Sequence, residues 1–140
     1  FMGDGGAYLF GTFTALNVIA TNNLNPNVSS FFFTILLFYL FFEVFFSFIR
    51  KLVKKKSPVK PDSEHLHMLS YKILNFKNSY RDCNYLNTLY INFIYCLLVL
   101  PSILVRENGT MCKYWFFSLI IIYLLTYFKL NSFVKKKIDI

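Results

Sequence analysis

Val28-Ser29-Ser30-Phe31-Phe32-Phe33-Thr34-Ile35-Leu36-Leu37-Phe38-Tyr39-Leu40-Phe41-Phe42-Glu43-Val44-Phe45-Phe46-Ser47-Phe48-Ile49 is a nearly unbroken apolar run, closed by Arg50 and Lys51. At about 1.5 Å of helical rise per residue it is long enough to cross a hydrocarbon core of about 30 Å. Downstream, Leu86 to Val105 and Tyr114 to Leu130 are two runs of the same kind. Upstream, Asp4 to about Thr21 is shorter and carries Asn17 among glycines and threonines, a pattern shared with buried core helices; its neighbours make it a fourth span. The composition agrees, with 56% hydrophobic and only 16% charged residues in 140, where soluble domains carry about 25% charged. We therefore expect an all-α polytopic membrane protein with about four transmembrane helices. The spans fall at about 4–21, 28–49, 86–105 and 114–130 of a single membrane domain, 1–140, with a basic loop at 50–85 between the second and third.

Lysine and arginine placement orients these spans. Of the fifteen, Arg50, Lys51, Lys54, Lys55, Lys56, Lys60, Lys72, Lys77 and Arg81 fall in that loop, and Lys129, Lys135, Lys136 and Lys137 in the tail. Arg106 and Lys113 are the remainder, and the Asn22–Ser29 turn has none. The positive-inside rule puts the basic loop and the C-terminus in the cytoplasm, with Asp4 starting its span on the same side. A net charge of +8 then reads first as an orientation signal and a contact for anionic membrane lipid. Nucleic acid is not an expected partner, because the aromatics lie in the spans rather than among the basic residues. Cys83, Cys96 and Cys112 are odd in number and lie in loop, span and turn, so neither a disulfide framework nor a structural zinc site is implied. Asn108-Gly109-Thr110 fits a glycosylation sequon and reads here as a turn. The start at Phe1, without methionine or signal peptide, is expected of the C-terminal part of a longer protein; a start at Met2 of a small independent protein is the other option.

Three polar features stand out. Asp4, in Phe1-Met2-Gly3-Asp4-Gly5-Gly6, is a carboxylate at a membrane edge flanked by glycines that leave the backbone open to a ligand. A helix beginning there aims free N–H groups at an anion, and a carboxylate beside a bound phosphate suits Mg²⁺. The alternative is a helix cap. His65-Leu66-His67 is the one histidine pair. Two residues apart, its rings share a side only on non-helical backbone, which Pro58 and Pro61 favour, with Asp62 as a candidate cap for the helix that follows. Phosphate or nucleotide contact, plain surface histidines, and zinc with Glu64 or Cys83 all stay open. Glu43, inside the quoted span, calls for a partner, and a structural ion pair between helices competes with a functional role.

The chain from Phe1-Met2-Gly3-Asp4-Gly5-Gly6-Ala7-Tyr8 through Phe42-Glu43-Val44-Phe45-Phe46-Ser47-Phe48-Ile49-Arg50-Lys51 to Pro61-Asp62-Ser63-Glu64-His65-Leu66-His67-Met68-Leu69 resembles the C-terminal part of the polyprenyl-phosphate N-acetylhexosamine-1-phosphate transferases. That membrane family, glycosyltransferase family 4, includes the phospho-N-acetylmuramoyl-pentapeptide transferase and enzymes that start O-antigen and teichoic acid linkage units. The likeness covers about residues 1–75; the rest matches only as two terminal spans. It implies Asp4 as the catalytic, Mg²⁺-binding aspartate, Phe1 as the ring that stacks on uracil, and His65 and His67 at the nucleotide diphosphate. Gly3, Gly5, Gly6, Glu43 and Arg50 would support them.

The implied reaction moves a sugar 1-phosphate from a UDP-sugar to polyprenyl phosphate in a bacterial cytoplasmic membrane, for lipopolysaccharide or cell-wall synthesis. A missing N-terminal part would be a partner, with a homodimer as an option. Ala7 stands where many members have serine, and the family's adjacent aspartates and Asn-rich motif would lie upstream, so the chain alone is expected to be inactive. A small membrane subunit and a transporter segment are the competing readings.

Overall fold

A computed structural model describes residues 3–58, 60–77 and 83–138. The described residues are helical throughout, without strands: α1 (Gly3–Leu24), α2 (Ser30–Leu36), α3 (Phe38–Val53), α4 (Leu66–Lys77), α5 (Cys83–Leu104) and α6 (Gly109–Ile138). Two of these, α5 and α6, are long and apolar enough to cross a membrane, and α2 with α3 makes a third if the bent pair is one span. At 22 residues α1 has the length, but its glycines, threonines and asparagines keep it below the apolarity of the others.

The second expected span is not one helix. It breaks at Leu37, whose φ of −105° and ψ of 4° leave the helical region, and α2 and α3 meet at 72°. A break inside a bilayer exposes carbonyls that lipid cannot satisfy. Here the Tyr95 hydroxyl of α5 lies 2.6 Å from the Leu36 oxygen and 3.1 Å from that of Ile35, and shares its proton between them. Pro101 lies inside α5 and offers no N–H to the Leu97 oxygen four residues back. The next carbonyl, that of Leu98, accepts from the indole of Trp115 at 3.0 Å.

Helix starts follow local chemistry. Ser29 caps α2 by accepting from the Phe31 amide, and Asn108 caps α6 by accepting from that of Met111 at 3.1 Å. The two turns are joined, because the Ser29 amide donates to the Arg106 oxygen at 2.8 Å. At the other end, α3 stops on a Schellman motif in which the Lys56 and Lys55 amides reach back to the Lys51 and Leu52 oxygens. The left-handed position, φ 52°, falls to Lys55 rather than to glycine.

The core joins α2 through α6: Ile35, Phe38, Phe42, Leu69, Val99, Leu119, Tyr123 and Tyr127 are among its buried members. Rings interlock across it, with Phe42 stacked on Phe38 at 4.9 Å, Tyr123 edge-on to Phe42 at 4.9 Å, and Tyr127 edge-on to Phe46 at 4.7 Å. In lipid such packing, rather than escape from water, holds helices together. By contrast α1 buries none of its residues and makes its principal contacts with α2.

Candidate functional site

A polar knot forms where α3, the 54–65 loop, the start of α4 and the far half of α6 come together. Arg50, in the last turn of α3, is 8% exposed. It donates to Asp62 at 2.9 Å, to Glu64 at 2.7 Å, to Ser47 at 3.0 Å and to the Tyr127 hydroxyl at 3.2 Å. Lys51 beside it donates to the oxygens of Pro58 at 3.1 Å and Lys60 at 2.7 Å, and Lys54 pairs with Glu64. These bonds lash the loop to the end of α3. Burial alone raises the pKa of the Asp62 carboxyl, but Arg50 and the Glu64 amide outweigh it and hold that carboxyl below the ordinary range. Glu64 is also held low, by Lys54, Arg50 and Lys56 against its own burial.

About two turns earlier on α3, Glu43 is also 8% exposed and is fully engaged. Its Oε1 accepts from the Leu66 amide at 2.9 Å and from His65 Nδ1 at 3.0 Å, and its Oε2 accepts from the Tyr123 hydroxyl at 2.7 Å. Because a carboxylate can only accept, Nδ1 is the nitrogen that carries the proton there. Glu43 thereby caps α4 from another helix, placing negative charge on its first free N–H. The expected cap, Asp62, is instead bound to Arg50 and accepts from the Glu64 amide at 3.3 Å. The basic group that reaches Glu43 is His65, not Arg50.

The two histidines converge: their rings stack at 5.6 Å between centroids, 22° apart in plane. His65 precedes the first helical residue, Leu66, so the non-helical step that the spacing requires lies at the start of α4. His67 is exposed, and His65 Nε2 faces Asp62 Oδ1 at 3.5 Å. Asp4 belongs to none of this. It is exposed in the first turn of α1, and among the described residues it has neither ion pair nor side-chain hydrogen bond. Phe1 and Arg81 lie outside the described residues.

Gly3 has a φ of 61°, which favours glycine, and an added Cβ at Gly3 or Gly5 would meet nothing within 4 Å. A free carboxylate among open backbone fits one ligand position of a Mg²⁺ that otherwise uses phosphate oxygens and water. Among the described residues no group of three or more His, Cys, Asp and Glu side chains gathers as a complete metal site.

Sequence reasoning missed Tyr123 and Tyr127 as members of the knot. Their spacing of four puts both hydroxyls on one stripe of α6, facing Glu43 and Arg50, which are themselves seven residues apart on α3. Two tyrosines so spaced in an apolar span, opposite an acid and an arginine, were the available signal.

The chain is similar to the undecaprenyl-phosphate alpha-N-acetylglucosaminyl 1-phosphate transferase of Thermotoga maritima, at 38% identity over 80 residues, 55% of this chain and 25% of that enzyme. It thus spans about a quarter of the length of this relative. The likeness supports the polyprenyl-phosphate sugar-phosphate transferases as the family, and the helices fit a membrane protein. No family model matches the chain, and no solved structure does.

Proposed function

We propose that this chain forms the C-terminal part of a bacterial cytoplasmic-membrane transferase that moves N-acetylhexosamine 1-phosphate from a UDP-sugar to polyprenyl phosphate. The observation that carries the reading is the pairing of the Thermotoga likeness with a glycine-flanked carboxylate that has no ion pair or side-chain hydrogen bond among the described residues. In the reaction an oxygen of the lipid phosphate attacks the sugar-bearing phosphorus of the UDP-sugar. The bond from that phosphorus to the bridging oxygen breaks, UMP departs with the electron pair, and a lipid diphosphate sugar remains.

Asp4 would hold Mg²⁺, which supplies charge stabilisation at the diphosphate when bound. The open backbone at Gly3 and Gly5 leaves room for phosphate oxygens beside that carboxylate. His65 and His67 present stacked rings at the start of α4, where imidazole nitrogens can hydrogen-bond a nucleotide. The lashed 54–65 loop holds them still, so that binding orders little further backbone. Phe1 would stack on the uracil. Glu43 and Arg50 support the site through His65 and the loop, and the three bonds to Glu43 account for it without a transport path.

Membranes from cells expressing the complete gene, given radiolabelled UDP-N-acetylglucosamine and undecaprenyl phosphate, are predicted to move label into extractable lipid with matching UMP release. Label that stays in the nucleotide with every UDP-N-acetylhexosamine tried would refute the reading. Replacing both histidines is predicted to raise KM for the UDP-sugar or lower kcat; unchanged kinetics would return them to plain surface residues.

A further inference from the structure

Glu43 receives its bonds from two sides. From α4 come the Leu66 amide and His65 Nδ1, both on Oε1; from α6 comes the Tyr123 hydroxyl, on Oε2. A carboxylate held only at one oxygen can rotate about its terminal torsion, which is broad and soft. Held at both, it has one orientation. Tyr123 is itself fixed, 6% exposed and wedged edge-on against Phe42 at 4.9 Å and Phe46 at 5.5 Å. The chain of restraint therefore runs from the aromatic core of α6, through Glu43, to the imidazole of His65.

We propose that Tyr123 is a positioning residue: by locking the Glu43 carboxylate it fixes the ring orientation of His65 and the proton on its Nδ1, so that Nε2, which faces Asp62 Oδ1 at 3.5 Å, is the nitrogen left for a ligand to share with that carboxylate. A carboxylate that orients a histidine by accepting from its other nitrogen is a general device of sites where the free nitrogen matters. Its chemical consequence is specific. Neutral His65 presents a lone pair at Nε2 and meets a hydroxyl donor, whereas a phosphate oxygen is met only by the doubly protonated ring. The groups facing this imidazole are Glu43 from α3, Asp62 from the loop, His67 from α4 and, through Glu43, Tyr123 from α6. That His65 faces a ligand rests on the transfer reading; the positioning itself does not.

The test needs no turnover. ¹⁵N-histidine NMR of the complete gene product in nanodiscs, with the His65 signals assigned by their loss in His65→Gln, reads the tautomer of His65. The proposal expects Nδ1–H to predominate, and Tyr123→Phe to drop it below the Nε2–H form. Tyr127→Phe removes a hydroxyl one turn along α6 that serves Arg50 instead, and it is expected to leave the tautomer unchanged. An unaltered tautomer in Tyr123→Phe, or an equal change in Tyr127→Phe, overturns the proposal. If Tyr123→Phe does not insert, Glu43→Leu removes the acceptor of the Nδ1 proton itself, and retention of the Nδ1–H form there also overturns it. Absence of sugar transfer by the unsubstituted complete gene product, with the tautomer dependence intact, would refute the transfer reading alone.

Discussion

Glu43 and Asp4 are both carboxylates carried by apolar helices, and the chain treats them in opposite ways. Glu43 is 8% exposed and takes bonds from an amide, an imidazole and a phenol, drawn from the start of α4 and from α6. Asp4 is exposed on α1, a helix that buries nothing, and none of its side-chain bonds is met among the described residues. Burial without partners would cost several kcal/mol for either group. A fully partnered acid is committed to the architecture, and an unpartnered one keeps its charge for something from outside. The same contrast separates the two regions, one a polar knot on a packed aromatic core and the other a glycine-rich helix start with open space around it.

The comparison breaks most visibly at Arg50. Arg50→Met takes from Asp62 and Glu64 the guanidinium that binds both and leaves them Lys51, Lys54 and Lys56, and losing hydrogen bonds to a charged group costs about 1.5–3 kcal/mol. Denaturant unfolding in lipid should show that loss, and a change within 0.5 kcal/mol, the range of an ordinary surface substitution, would mean that the loop is not held there. Acidification probes the same contacts. Both carboxyl pKa values are lowered in the folded chain. Their stabilisation is therefore full above the unfolded carboxylate pKa, about 4, and is lost as pH falls through the folded values. Proteolysis within the 54–65 loop should accelerate over that acid window and not between neutral pH and 5. The smallest effect is expected at Lys55, a side chain in the left-handed region. Lys55→Gly should stabilise by up to about 1 kcal/mol; a loss would show that the lysine makes a compensating contact.

Much of the helical layout could be read from the apolar blocks, because lipid imposes one periodicity and one length. The break at Leu37 could not, since Phe32 through Phe46 is uniformly bulky and no proline or glycine marks the bend. What makes it tolerable is Tyr95, contributed from sixty residues away. The knot was half legible. Glu43, Arg50 and the histidine pair stood out as polar residues in or beside apolar sequence, but their pairing follows from which side chains the 54–65 loop folds back upon α3. Asp62 was readable as a cap and proved to be an arginine partner, because a buried guanidinium is the stronger claimant for a nearby carboxylate. Tyr123 and Tyr127 were hidden among ten tyrosines, and only the interleaving of α6 with α3 distinguishes them.

Asp4→Asn removes one charge and almost no volume from a side chain that has neither ion pair nor side-chain hydrogen bond among the described residues, so it separates the two roles. We predict that in the complete gene product this variant keeps wild-type stability in lipid, within about 0.5 kcal/mol, while UMP release from the UDP-sugar in the presence of undecaprenyl phosphate is abolished. UMP release near the wild-type rate from the Asp4→Asn enzyme would contradict the account.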